Sequence, residues 1–462
     1  MRPCALLRPE RQPGLVVPSP HLAYGEAKKL GYGSATLAER RKKRRRPKKR
    51  QRCSPTERLE LSVQALGRHG DGIADHEGRR IFVAGALPGE RVEADVRGER
   101  AELRTIVTPS PDRIEPFCPH FGICGGCAVQ HLTPDAYHVW KQGIVATALA
   151  NKRLNIGIDP LVDTHGEGRR RVTLHAKSGN AGFMRARSHE LLNIEHCPVL
   201  VPKLANVFAT AIDLVTAMQP RGKQPVDIVA IATQTGIDVQ IRAIVSSDHN
   251  QRMALTNVAE AHDLARLSID DDPIVERRKP LISLGSARLS PPPGNFLQVT
   301  EAGETALTGF VTKHAKGAKR VADLFCGVGP FALNLAESAS VHAVDSDGDA
   351  LAALTVAANR ALNLKPITTE RRNLIESPLG ADDLARYDAV IFDPPRAGAE
   401  AQARELAVSE VRTVIAIACQ PTTFARDAAV LVEGGYELIR VTPIDQFKYT
   451  AHVETAALFQ RP

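Results

Sequence analysis

The 462-residue chain is marked first by what it lacks. No uninterrupted apolar run approaches the roughly 18 residues that span a bilayer, so no membrane-crossing helix is expected. The N-terminus has no charged-then-apolar secretory pattern, which points to a cytoplasmic, reducing setting. Cysteine is scarce, with eight in the whole chain. In a reducing compartment, clustered thiols are ligands or catalysts rather than a disulfide framework. No internal repeat is evident. Acidic residues are the minority, 52 against 60 Lys and Arg, and the net charge of +8 favours a polyanionic partner. The run "RRKKRRRPKKRQR", Arg40 to Arg52, contains no acid at all. It reads as a solvated basic arm, with an RNA grip, a nuclear signal or an over-extended gene start as alternatives.

What is present divides into four stretches. Residues 1–53 are assigned no fold. Residues 54–110 alternate in short strands broken at Glu77-Gly78 and Arg97-Gly98, the pattern of a small five-stranded barrel of the oligonucleotide-binding kind. Residues 111–295 hold a helix signal in "TPDAYHVWKQGIVATALANKR" and then a mainly β region. Its clearest element is the hairpin "VDIVAIATQTGIDVQIRAI". Residues 296–462 alternate strand and helix, with seven strand candidates, and predict a doubly wound, Rossmann-like α/β sheet.

Four motifs sit at strand ends of that last stretch. "DLFCGVGPF" runs a strand into a loop with Gly327 and Gly329, where small residues let backbone approach a ligand at a switch point. A second strand ends in Asp345, a carboxylate able to accept both hydroxyls of a ribose. The D-x-x-x-G-x-G form suits S-adenosylmethionine better than a dinucleotide. "FDPPRAG" fixes Asp393 at an edge through two prolines, and Arg396 stands where amine-directed methyltransferases place an aromatic. "IACQPTTFARD" closes the fifth strand with Cys419, a candidate nucleophile. Cys326, the rival thiol in the glycine loop, reads as a packing residue. "HVETAALF" places Glu454 early in the last strand. If that strand runs antiparallel, Glu454 faces Cys419 and is a candidate general base.

Cys118, Cys124 and Cys127 are spaced C-x5-C-x2-C, and Cys197 is the remaining candidate ligand. Four thiolates fit tetrahedral zinc or a [4Fe–4S] cluster. Three grouped cysteines plus one distant one look more like the latter.

Together these residues resemble the bacterial RNA (uracil-5-)-methyltransferases, in the ribosomal RNA branch that carries an N-terminal TRAM barrel and an iron–sulfur cluster. The resemblance covers roughly residues 57–460. It rests on C-x5-C-G-G-C with Cys197, "FLQV" at Phe296 to Val299, "DLFCGVG", "FDPPRAG", the Cys419-x-Pro turn and "HVET". It implies cofactor contacts at Gln298, the loop from Asp323 through Phe325 and Gly327 to Gly329, Asp345 and Asn373, with Asp393 beside cofactor and base. It also implies Cys419 as nucleophile and Glu454 as base, acting on C5 of a uridine, most readily in 23S ribosomal RNA. The chain departs from the family at Thr300, Asp345, Gln420 and the pair Lys448-Tyr449. A monomer without an obligate protein partner is expected. The alternatives are a tRNA-directed enzyme of the same chemistry, a radical methylthiotransferase, which would need C-x3-C-x2-C, and a non-catalytic iron–sulfur RNA-binding protein.

Overall fold

The computed structural model describes residues 56–219, 225–243 and 248–462. The stretch 1–53, with its basic run, lies outside the described residues. Five strands, β1 (Glu57–Leu66), β2 (Asp71–His76), β3 (Arg79–Ala84), β4 (Arg91–Arg97) and β5 (Arg100–Thr108), close into a barrel in the order β1-β2-β3-β5-β4. Alternating Leu61 and Val63, Ile81 and Val83, and Val92, Ala94 and Val96 fill its interior. Glu77 and Gly78 both take positive φ, 53° and 76°, as a tight two-residue hairpin demands.

Helix α1 (Pro134–Ala150) follows, then the two-residue strand β6 (Val162–Asp163). A second sheet holds β7 (Arg171–Lys177), β8 (Asn180–Met184), β9 (Leu191–Asn193), β10 (Val226–Thr233), β11 (Gly236–Arg242), β12 (Leu264–Ile269) and β13 (Asp272–Glu276). Helices α2 (Val207–Met218) and α3 (His249–Ala261) cover one face, sharing a core with Leu174, Ile228 and Leu267. The hairpin β14 (Ile282–Leu284) and β15 (Ala287–Leu289) leads into the C-terminal unit.

There, α4 (Glu301–His314), β16 (Arg320–Leu324), α5 (Pro330–Leu335), β17 (Ser340–Asp345), α6 (Gly348–Arg360), β18 (Ile367–Arg371) and α7 (Ala381–Leu384) come first. Then come β19 (Ala389–Phe392), α8 (Glu400–Val408), β20 (Thr413–Ala418), α9 (Pro421–Glu433), β21 (Glu437–Asp445) and β22 (Glu454–Gln460). Runs such as "VADL", "AVIF" and "TVIAIA" are apolar at nearly every position because helices bury both faces of a parallel sheet. Val321, Ile391 and Ile415 pack on α4, α5 and α6. Leu324, Val390 and Val414 pack on α1, α8 and α9.

The sheet order is β18-β17-β16-β19-β20-β22-β21-β6, which makes eight strands where seven were expected. All seven expected segments form strands. The eighth is β6, which pairs in parallel with Ile444 and Asp445. Two residues carry no hydrophobic period, so this strand leaves no trace in the sequence. Among the described residues, no helix is long and apolar enough to cross a membrane.

Candidate active site and cysteine cavity

The chain leaves β16 toward β17 on one side and returns through β19 on the other, so the switch point lies between β16 and β19. At the carboxyl-end edge there, Phe325, Gly327 and Gly329 all take positive φ, 62°, 53° and 77°. The Phe325 N–H donates to Val344 O at 2.9 Å, tying the loop to β17. The positive φ of Gly329 favours glycine, and a Cβ there would also press within 2.6 Å of Leu354 Cδ1. Asp345 organises the rest of the loop. Its Oδ2 accepts the Gly327 N–H and its Oδ1 the Asp347 N–H, both at 2.8 Å.

Two further acids share this edge. Asp323 is completely buried, and burial, reinforced by Asp393 and Asp345, pushes its carboxyl well above the usual range. Burial beside Asp345 pushes half-buried Asp393 up to about 7. Three carboxyls thus stand around this backbone loop, and burial holds the Asp323 carboxyl in its neutral form. Asn373 stands exposed beyond β18 at the same edge, its Oδ1 accepting the Ile375 N–H at 3.1 Å.

β22 is antiparallel to β20, with Ala418 paired to Thr455. Cys419 and Glu454 are therefore the next facing residues. Burial, then Glu454 and Asp393, push the Cys419 thiol up to about 12, with Arg396 opposing. Burial and then Asp393 push Glu454 up to about 8, while a hydrogen bond from Gln446, Arg396 and Lys141 pull it down. Cys326 is only 3% exposed and packs with Val328 and Phe331 in the core. The structure thus gathers Cys419, Glu454, Asp393, Asp345, Asp323 and the glycine loop at one edge. Gln298 is buried close by, its Oε1 accepting from Gln446 Nε2 at 2.6 Å. Thr300, one of the departures, caps α4, its Oγ1 accepting the Gly303 N–H at 3.0 Å.

The segment between β21 and β22, residues 446–453, carries contacts that the sequence reading missed. Lys141 of α1 and Asp445 are both fully buried and meet at 2.8 Å. Asp445 also accepts from the Tyr137 hydroxyl, and Lys141 Nζ also donates to His452 O. The Tyr449 N–H donates to Tyr137 Oη at 2.9 Å, and Lys448 pairs with Asp163 at 2.6 Å. No sequence pattern announces a buried lysine; only its partner 304 residues away explains it.

Cys118, Cys124, Cys127 and Cys197 line one cavity of about 250 Å³, together with Arg169 and Arg171. Burial raises the Cys124 and Cys127 thiols, and raises Cys197 to about 11. Among the described residues, no three His, Cys, Asp or Glu side chains are drawn together closely enough to hold a metal ion. The thiols ring the cavity rather than meeting at a point. The buried Nε atoms of Arg169 and Arg171 have no hydrogen-bond partner. The cysteine segment is fixed on both sides. The Gly125 N–H donates to Met184 O at 3.0 Å, and the Ala128 N–H to Tyr449 O at 2.7 Å.

Comparison with known proteins gives a consistent picture. The family described as tRNA (Uracil-5-)-methyltransferase matches residues 294–462, and the TRAM domain matches residues 55–97. An uncharacterized RNA methyltransferase of Brucella suis is 43% identical over 408 residues, 87% of this chain and 98% of that one. A 23S rRNA (uracil(1939)-C(5))-methyltransferase of Aeromonas hydrophila is 31% identical over 442 residues, 90% of this chain and 99% of that one. The solved Pyrococcus abyssi tRNA (uracil-54, C5)-methyltransferase, bound to S-adenosyl-L-homocysteine, shares the fold with a TM-score of 0.67. That match has 20% identity and covers 87% of this chain and all of the other. With this breadth of likeness over nearly its whole described length, the chain belongs to the RNA (uracil-5-)-methyltransferase family.

Proposed function

We propose that the protein methylates C5 of a uridine in 23S ribosomal RNA, with S-adenosylmethionine as methyl donor and Cys419 as covalent catalyst. The observation that carries this reading is the placement of Cys419 opposite Glu454, beside a loop ringed by three carboxyls. Uracil C5 is a weak nucleophile. The Cys419 proton passes to solvent, and attack of the resulting thiolate on C6 sends an electron pair into an enolate, which makes C5 nucleophilic. C5 then takes the methyl group as the donor's carbon–sulfur bond breaks. Glu454 accepts the C5 proton, the C5–C6 double bond re-forms and the sulfur leaves C6. Asp345 holds the loop and suits a ribose. Asp393, where ionised, offers a carboxylate to a sulfonium cation, while the buried, neutral Asp323 adds no charge. Gln298, Phe325, Gly327, Gly329 and Asn373 complete the donor pocket.

The target base must leave its stack to reach a thiol at a sheet edge. The TRAM-type barrel supports RNA as partner, gripped through phosphate and stacking contacts. In this reading Cys118, Cys124, Cys127 and Cys197 hold a [4Fe–4S] cluster. Four thiols around one cavity, lined also by the half-buried Arg169 and Arg171, suit a bulky anionic occupant better than a single ion. Cytoplasmic location and a monomeric state belong to the same proposal.

Mapping 5-methyluridine in the RNA of a deletion strain tests the substrate. Loss of one position in 23S rRNA is expected. Loss from tRNA alone establishes instead the tRNA reading.

A further inference from the structure

Gln446 follows β21 directly and has no exposed surface. Its Oε1 accepts the Val299 N–H at 2.8 Å. A backbone N–H can only donate, so this bond fixes which end of the carboxamide is oxygen. The other end, Nε2, lies 2.6 Å from Gln298 Oε1 and 3.1 Å from Glu454 Oε1. An amide nitrogen has two hydrogens, and both are committed. Gly303 packs closely on this side chain: a Cβ there would fall 2.9 Å from Gln446 Cβ.

We propose that Gln446 is a positioning residue that sets the catalytic base and the donor pocket with one carboxamide. One hydrogen holds the Glu454 carboxylate toward the target base. The other fixes Gln298 with its oxygen inward, which leaves the Gln298 NH₂ to donate to a ligand. The inference rests on Glu454 being the base. Among the groups that bear on Glu454 are Asp393 and Arg396 from the loop after β19, Cys419 from the end of β20 and Lys141 from α1. Gln446 adds an uncharged donor to that set, stabilising the ionised form without a further charge.

Gln446→Met keeps the length and removes both donors. Its single-turnover rate should fall roughly 10- to 100-fold, the size of a lost hydrogen bond to a charge. The acid limb of its pH–rate profile should move up by about one unit, because the carboxylate loses a donor. Methylated RNA–protein adduct should accumulate in it, as elimination slows. A wild-type rate with an unmoved limb overturns the proposal. Should Gln446→Met fail to fold, as judged by thermal unfolding, Gln446→Glu carries the test. It keeps the shape and the acceptor for Val299 but sets an acid against Glu454, and a wild-type rate there is equally fatal. Glu454→Gln is run alongside. If it neither slows turnover nor traps adduct, the base assignment itself fails. If it traps adduct while Gln446→Met behaves as wild type, only the positioning role fails.

Discussion

Cys419 and Glu454 face each other where the parallel C-terminal sheet first meets an antiparallel strand. The β20–β22 ladder ends with Ala418 opposite Thr455, so the thiol and the acid are its next pair. A parallel neighbour would have put the start of β22 at the opposite edge, far from the glycine loop. Strand direction, more than any local motif, builds this pair.

Covalent catalysis divides the two roles. Cys419→Ala should abolish both methyl transfer and every adduct, since nothing else activates C5. Glu454→Gln should methylate yet fail to release the product, leaving an RNA–protein adduct that survives denaturing electrophoresis. Unmutated enzyme should form the same adduct with 5-fluorouridine RNA, because fluorine cannot leave as a cation. Cys326→Ala should remain active, consistent with a thiol packed in the core. Loss of the adduct in Cys326→Ala with its retention in Cys419→Ala would reverse the assignment.

The acids set a pH dependence. Glu454, pushed up to about 8, accepts a proton only when ionised, so turnover should rise with pH through that value and fall below it. Asp393 is the leading charge that raises it. Asp393→Asn should therefore move the acid limb to lower pH, whatever it does to the maximal rate. Cys419, pushed up to about 12, stays a thiol in the free enzyme at neutral pH. Its alkylation by iodoacetamide should be slow at neutral pH and climb steeply as the solution is made alkaline. A fast reaction at neutral pH, or a pH-independent rate, contradicts these placements.

Much of the C-terminal unit was legible because its signals are local. Buried parallel strands read as apolar runs, and Asp345, Phe392 and Cys419 mark where three of them stop. The barrel showed itself through alternation and Gly turns such as Glu77-Gly78. β6 was not legible, being two residues long and held by pairing with Ile444 and Asp445. Gln446 was equally silent, since its meaning lies in Gln298 and Glu454, 148 and 8 residues away. Contacts that join distant segments leave no period behind.

The cysteine cavity makes a compositional prediction. Anaerobically purified protein should be brown and hold about four irons per chain. Cys124→Ser or Cys197→Ser should lower that content. One tightly bound zinc in a colourless protein sinks the cluster. The Ala128 N–H, one residue past Cys127, donates to Tyr449 O, and Arg169 from the cavity wall donates to Lys448 O at 3.0 Å. Loss of the iron should therefore also raise proteolytic sensitivity in residues 446–453, a readout independent of activity.

The same segment is held from the other side by the Lys141–Asp445 pair, and its energetics can be separated by a double-mutant cycle. Burial pulls Lys141 below the ordinary lysine value, and Asp445 offsets only part of that. Such a pair adds little over an apolar replacement, but losing one partner strands a buried charge at a cost of about 3–5 kcal/mol. Lys141→Met should show a loss of that order in urea unfolding, and Asp445→Asn a comparable one. The double variant strands no charge, and the amide oxygen that replaces the Asp445 carboxylate would still accept from the Tyr137 hydroxyl. It should therefore recover most of the loss, giving a coupling energy well above the roughly 0.5 kcal/mol of independent sites. Additive losses would mean that Lys141 and Asp445 act separately, and that the segment is held by its other hydrogen bonds alone.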